Sequence, residues 1–69
     1  MPYVNIKITK EGGGISAEQK ENLIAGATKL IVDVLGRGEA TMVVIIEEVE
    51  TDNYGIAGES VTNRRKKGL

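Results

Sequence analysis

The chain has 69 residues, no cysteine, no histidine and a net charge of −1 at pH 7. A chain of this length buries only about 60% of the surface that its unfolded form exposes, so small domains usually need disulfides, a metal or a partner chain. The absence of cysteine and histidine excludes disulfides, thiolate and imidazole metal sites, and histidine-dependent catalytic triads. We therefore expect no metal and no cofactor, and self-association as the remaining route to stability.

Charge and hydropathy argue against two kinds of partner. Nine basic and ten acidic residues balance, which gives no electrostatic reason to expect nucleic-acid binding or an anionic membrane. With only Tyr3 and Tyr54, the chain lacks an aromatic platform for single-stranded nucleic acid. No segment reaches the roughly 20 apolar residues of a membrane span, and the N-terminus lacks a signal-peptide pattern. We expect a cytoplasmic protein.

The first half of the chain predicts a strand followed by a helix. Residues 2–9 alternate apolar and polar side chains, the period of a half-buried strand, and the triglycine at 12–14 predicts a flexible connection after it. Ser16 and Gln19 have the spacing of a capping box, and the helix should run to about Leu35, where a glycine can cap its end. Its apolar stripe is broad. The helix is either well covered within the chain or covered from two sides in an oligomer.

The second half predicts another strand and then a turn. Residues 41–48 form a nearly continuous β-branched run, which is typical of parallel strands buried on both faces. The order strand, helix, strand indicates a βαβ unit in one α+β domain spanning 1–69. One such unit cannot bury both faces of its second strand, which favours assembly of several copies. Residues 54–59 predict a tight turn or hairpin, and the basic end, 64–69, is expected to be frayed.

Pro2 is the candidate for catalysis. Removal of Met1, generally permitted before proline, would leave Pro2 with a free secondary amine. A terminal amine has a reference pKa of about 8, which burial or a nearby cation lowers. Pro2 shares a strand face with Val4, Ile6 and Ile8, so its amine could act as a general base near neutral pH. The alternative is a proline that merely begins an edge strand.

Other charged or glycine-rich patterns are weaker signals. The triglycine lacks the lysine and hydroxyl positions of a phosphate loop. The acidic residues between 47 and 52 suit a solvated strand end better than a cation site. The basic residues 64–67 suit a solvated tail, or contact with RNA, or contact with a neighbour's site in an oligomer.

Four segments together resemble the short-chain branch of the 4-oxalocrotonate tautomerase family, within the tautomerase superfamily. They are Met-Pro-Tyr-Val-Asn-Ile-Lys-Ile at 1–8, Ser-Ala-Glu-Gln-Lys at 16–20, Val-Val-Ile-Ile-Glu-Glu-Val at 43–49 and Asn-Tyr-Gly-Ile-Ala-Gly-Glu at 53–59. The resemblance implies a β-α-β fold whose two copies form a four-stranded sheet covered by two helices, usually within a homohexamer. It also implies an isomerase in which Pro2 moves a proton during enol–keto tautomerisation of a 2-hydroxydienoate or a related 2-oxo acid, as in aromatic degradation.

The resemblance carries over unevenly to individual residues. Tyr54 stands where relatives carry an aromatic residue, and with Ile8 it would form an apolar wall around the amine. The loop after the first strand lacks the family's carboxylate-binding arginine, and Val43 stands at the position of a second arginine. Another cation must then bind the substrate carboxylate, and we favour Arg64 or Arg65 of a neighbouring chain. The available cations are Lys10, Arg37, Arg64 and Arg65.

Three other functions stay open at this point. The loss of both arginines favours a non-catalytic oligomeric member of the family. The amine of Pro2 could also serve a different main reaction on a related acid, such as dehalogenation or decarboxylation, with tautomerisation as a side activity. The basic end could bind nucleic acid, although the charge balance argues against it.

Overall fold

The computed structural model describes residues 1–69, which form a βαβ unit, a short hairpin and a second helix. The elements in chain order are β1 Tyr3–Thr9, α1 Ala17–Leu35, β2 Val43–Val49, β3 Gly55–Ile56, β4 Glu59–Ser60 and α2 Val61–Lys66. Single 3-10 turns at Glu39–Thr41 and Thr51–Asn53 flank β2. The α+β class, the βαβ order and the hairpin after it confirm the predicted fold.

β1 and β2 pair in parallel, from Tyr3 opposite Val43 to Thr9 opposite Val49. Side chains on one face of this two-stranded sheet are partly covered, while those on the other are exposed except at the strand ends, Thr9 and Val49. This is the alternation predicted for β1. The apolar residues of the covered face are Val4, Ile6, Ile8, Val44 and Ile46. α1 packs against β2.

Local capping signals define both ends of α1. The Ser16 hydroxyl accepts a hydrogen bond from the Gln19 N–H at 3.0 Å, and the Gln19 side chain accepts one from the Ser16 N–H at 2.9 Å. Gly36, in the left-handed conformation with φ of 72°, ends the helix. The predicted capping box and helix bounds are therefore confirmed. α1 is not long and apolar enough to cross a membrane.

A single chain has almost no core. Val61, at 5% exposure, is its one buried residue, whereas Val34 on α1 is 73% exposed and Ile45 on β2 is 42% exposed. The Cα radius of gyration is 15.2 Å, against about 11 Å for a compact domain of this length. β2 is thus covered on one face only, as expected for a βαβ unit standing alone.

The C-terminal region is more ordered than expected. β3 and β4 form an antiparallel hairpin whose turn residues, Ala57 and Gly58, both have positive φ, as a type I′ turn requires. The prediction of a frayed basic end was wrong, because α2 includes Arg64, Arg65 and Lys66. The Ser60 hydroxyl caps this helix by accepting the Asn63 N–H at 3.1 Å. The basic residues lie in its last turn, where the helix dipole favours positive charge.

Candidate active site

Pro2 is held at the start of β1 by its backbone and by a close glycine contact. Its carbonyl accepts a hydrogen bond from the Val43 N–H at 3.1 Å, which ties it to the start of β2. The Pro2 ring packs against Gly38 so closely that a Cβ added to Gly38 would lie 3.1 Å from Pro2 Cγ. Met1 is 93% exposed and projects into solvent. Val43 and Gly38 therefore both contact Pro2 independently of the Met1 side chain.

A cavity of about 430 Å³ opens beside Pro2. We call it the Pro2 cavity. Its lining is more apolar than polar, and its one charged side chain is Arg37. The lining residues are Met1, Pro2, Leu35, Arg37, Gly38 and Thr41.

The other four predicted site residues line a second, larger space. Ile8, Tyr54, Arg64 and Arg65 all border a cleft of about 710 Å³ between the end of β1, the hairpin and α2. We call this the Tyr54 cleft. Since Pro2 and Ile8 stand at opposite ends of β1, they are separated by about 20 Å of extended strand. One chain therefore brings four of the predicted site residues together and keeps Pro2 apart from them.

The two arginines of the Tyr54 cleft differ in their partners. Arg65 forms an ion pair with Glu11, whose carboxylate also accepts a hydrogen bond from the Thr9 hydroxyl at 3.1 Å. The hydrogen bond from Arg65, followed by that from Thr9, lowers the pKa of the Glu11 carboxyl, and Glu11 in turn raises the pKa of Arg65. Arg64 is half-buried and forms no ion pair. Since Lys7, the third cation lining the cleft, pairs with Glu47, Arg64 is the one cation there without an ion-pair partner.

Glu48 is a structural residue that the sequence analysis missed. Its side chain is 17% exposed, accepts the Ile15 N–H at 2.8 Å and pairs with Lys20 at 3.3 Å. The bond from Ile15, more than the pairing with Lys20, lowers the pKa of the Glu48 carboxyl. A Cβ on Gly14 would meet Glu48 Oε1 at 2.5 Å. The end of the triglycine loop is therefore tied to β2 and is not the free connection that was expected.

The rest of the acidic stretch is divided among separate partners. Glu47 accepts a hydrogen bond from Asn5 and pairs with Lys7, while Glu50 pairs with Lys10 at 3.7 Å. The hydrogen bond from Asn5, followed by the charge of Lys7, lowers the pKa of Glu47. No three acidic side chains converge as a cation site would require.

Comparison with known proteins supports one family over nearly the whole chain. The model of the tautomerase enzyme family matches residues 2–64. A probable tautomerase from Dickeya dadantii is 66% identical over 67 residues, 97% of each chain. A 2-hydroxymuconate tautomerase from Bacillus subtilis is 36% identical over 63 residues, covering 91% of this chain and 97% of that one.

Solved structures agree with the sequence comparison. The crystal structure of DmpI from Helicobacter pylori superposes with a TM-score of 0.87 at 49% identity, over 94% of this chain and 97% of that one. A heterohexameric 4-oxalocrotonate tautomerase from Chloroflexus aurantiacus gives a TM-score of 0.75 at 26% identity, over 90% of this chain and 95% of that one. The chain therefore belongs to the tautomerase family and is a 4-oxalocrotonate tautomerase-like isomerase.

Proposed function

We propose that the protein converts the enol form of a 2-oxo acid into its ketone, with the amine of Pro2 as the acid–base group once Met1 has been removed. The observation that carries the proposal is the setting of Pro2. Its ring is half-buried beside a cavity whose lining is more apolar than polar and whose one charged side chain is a cation, Arg37. Both burial and a nearby cation disfavour the ammonium form, so the amine would be largely neutral near pH 7.

The reaction conserves atoms and charge. The neutral amine of Pro2 takes the proton of the 2-hydroxyl group while the electrons of the enol shift toward carbon. The resulting ammonium returns a proton to a carbon of the conjugated chain, which leaves an α,β-unsaturated ketone and a neutral amine. The Bacillus subtilis relative is named for 2-hydroxymuconate, a dienol acid of this kind, which supports the proposed substrate class.

We propose further that the site is completed by another copy of the chain. Pro2 and the Tyr54 cleft lie at opposite ends of β1, so antiparallel pairing of the free β1 edges of two chains would bring the start of one strand beside the end of the other. Ile8 and Tyr54 would then form the apolar wall around the amine, and Arg64 would bind a substrate carboxylate. The exposed apolar faces of α1 and β2, and the hexameric assembly of the Chloroflexus relative, support a dimeric building block within a hexamer.

The proposal is tested by measuring enol turnover with protein whose mass shows that Met1 has been removed. After mass spectrometry has confirmed removal of Met1, ketonisation of 2-hydroxymuconate and of phenylenolpyruvate is followed by ultraviolet absorbance. We expect Pro2→Ala to lower kcat by about 10²–10⁴-fold, the usual contribution of a positioned acid–base group. A variant with a Gly-Ser extension before Pro2, which turns the amine into an amide, should lose the same factor. Full activity in either variant would refute the assignment of Pro2.

A non-catalytic oligomer is the second candidate function. It is favoured by the apolar side chain of Val43 and by the acidic Glu11, which stand in the regions where the family resemblance leads one to expect arginines. The same assay distinguishes the two candidates, because this one requires that neither enol be turned over by protein that is assembled and free of Met1.

A further inference from the structure

The backbone conformation of two glycines places Arg37 at the Pro2 cavity. Gly36 and Gly38, on either side of Arg37, have φ of 72° and 99°, values that residues with a side chain rarely adopt. Gly38 also packs against the Pro2 ring, so the loop between α1 and β2 is pressed onto the start of β1. The position of Arg37 beside Pro2 is therefore a consequence of the loop's backbone geometry.

The guanidinium of Arg37 also has no partner within the chain. It forms neither an ion pair nor a hydrogen bond within the chain, whereas Arg65 is paired with Glu11 and Lys10 with Glu50. It is the one charged side chain lining the Pro2 cavity, and no carboxylate lines that cavity to compete for it. A planar guanidinium presents parallel N–H donors that match the two oxygens of a carboxylate.

We propose that Arg37 binds the carboxylate adjacent to the reacting enol of the substrate and holds that enol against Pro2 of the same chain. The inference rests on the proposed function and deepens it, because it assigns the two free arginines different tasks. Arg37 acts from the chain that supplies the amine, while Arg64 acts from the chain that supplies the Tyr54 cleft. Arg37 would thus supply the carboxylate-binding cation that the apolar side chain of Val43 does not provide.

Kinetics of charge variants test this role. Phenylenolpyruvate, which carries one carboxylate, is compared with its methyl ester for the unaltered protein, Arg37→Gln, Arg37→Lys and the control Lys29→Gln. Lys29 is an exposed cation on α1, paired with Asp33 and outside both cavities. We expect Arg37→Gln to raise KM for the acid by about tenfold to a hundredfold, the range for a lost charged hydrogen bond. KM for the ester should barely change.

Two further readouts separate binding from a merely structural role. Arg37→Lys should recover part of the affinity for the acid because the charge is retained. In Arg37→Gln the acidic limb of the pH–rate profile should move to higher pH, because loss of a nearby cation raises the pKa of the amine. No charged side chain other than Arg37 lines the Pro2 cavity to offset that change. Unchanged preference for acid over ester in Arg37→Gln would overturn the inference.

A labelling experiment keeps the inference testable if no enol is turned over. Bromoacetate and bromoacetamide both alkylate an amine, with a C–N bond formed, bromide expelled and the amine proton lost to buffer. The chain has no cysteine or histidine to compete, and peptide mass identifies labelled Pro2. We expect the rate ratio of bromoacetate to bromoacetamide to fall about tenfold in Arg37→Gln. An equal ratio in both proteins would overturn the role of Arg37, whereas a fall in the ratio without enol turnover would overturn only the proposed function.

Discussion

Glu11 neutralises one of the arginines that line the Tyr54 cleft. It pairs with Arg65 and leaves Arg64 as the free cation there. The pKa of Glu11 is lowered by this pairing, so the pair persists at neutral pH and is lost only as pH falls through that depressed value. With Arg65 paired to Glu11 and Lys7 paired to Glu47, Arg64 is the one cation lining the cleft that has no ion-pair partner.

Replacing Glu11 by Gln should therefore favour substrates with two carboxylates. Arg65 would be released to act beside Arg64, and we expect kcat/KM for 2-hydroxymuconate to rise severalfold relative to that for phenylenolpyruvate. The control is Glu39→Gln, which removes an exposed carboxylate outside the Tyr54 cleft. An identical substrate ratio in Glu11→Gln and in the unaltered protein would show that Arg65 does not contact substrate.

Gly38 is the residue whose substitution should affect Pro2 without altering any charge. An alanine Cβ would lie 3.1 Å from Pro2 Cγ, and φ of 99° is unfavourable for alanine. We expect Gly38→Ala to destabilise the protein by about 1–3 kcal/mol in urea unfolding and to lower kcat, because the ring must shift. Gly26→Ala on α1, where an added Cβ meets nothing within 4 Å, is the matched control and should keep full activity.

At the scale of elements, α2 decides whether the Tyr54 cleft has a cationic wall. Ser60 caps the helix that carries Arg64 and Arg65. Ser60→Ala should cost about 1 kcal/mol of stability and raise KM more than it lowers kcat, because fraying of α2 moves the arginines but not Pro2. Ser60→Asp retains a capping oxygen and should restore both quantities. A normal KM in a measurably destabilised Ser60→Ala would mean that α2 does not hold substrate.

The elements that could be predicted from the sequence are those specified by nearby residues. Ser16 and Gln19 cap α1 three residues apart, and the alternation in β1 is strictly local. α2 was not predicted for two reasons. It has only six residues with one capping side chain, Ser60, and its basic residues are typical of a disordered terminus. The high density of basic residues therefore led to the wrong expectation of an unstructured end.

The sequence predicts which residues belong to the candidate site, but it does not predict how the folded chain arranges them. Ile8, Tyr54, Arg64 and Arg65 do meet in one cleft. The pairing of Glu11 with Arg65 and the approach of Gly38 to Pro2 each join residues far apart in the chain. No local pattern encodes such contacts, so the tethering of Arg65 and the exposure of Arg37 to the Pro2 cavity needed the folded chain.

At the scale of the whole molecule, one chain has almost no core, and under the proposed function its site is completed by another copy. If Pro2 of one copy works with Arg64 of another, two inactive variants should rescue each other. Pro2→Ala and Arg64→Ala are each expected to show little turnover of 2-hydroxymuconate. When they are unfolded together and refolded as a mixture, about a quarter of the shared sites should receive both native residues, and activity should return in that proportion. Light scattering checks that the mixture reaches the mass of the unaltered assembly.

The same mixture shows whether Pro2 and Arg64 of one site belong to the same chain or to different chains. If Pro2 and Arg64 of one site belonged to the same chain, every site in the mixture would lack one of them, and refolding would restore nothing. Within one chain, Arg64 lines the cleft at the far end of β1 from Pro2. The length of that strand, about 20 Å, is why we expect the two residues of one site to come from different chains. Mixing without unfolding is the control, because a stable assembly exchanges chains slowly and should recover little activity over the same time.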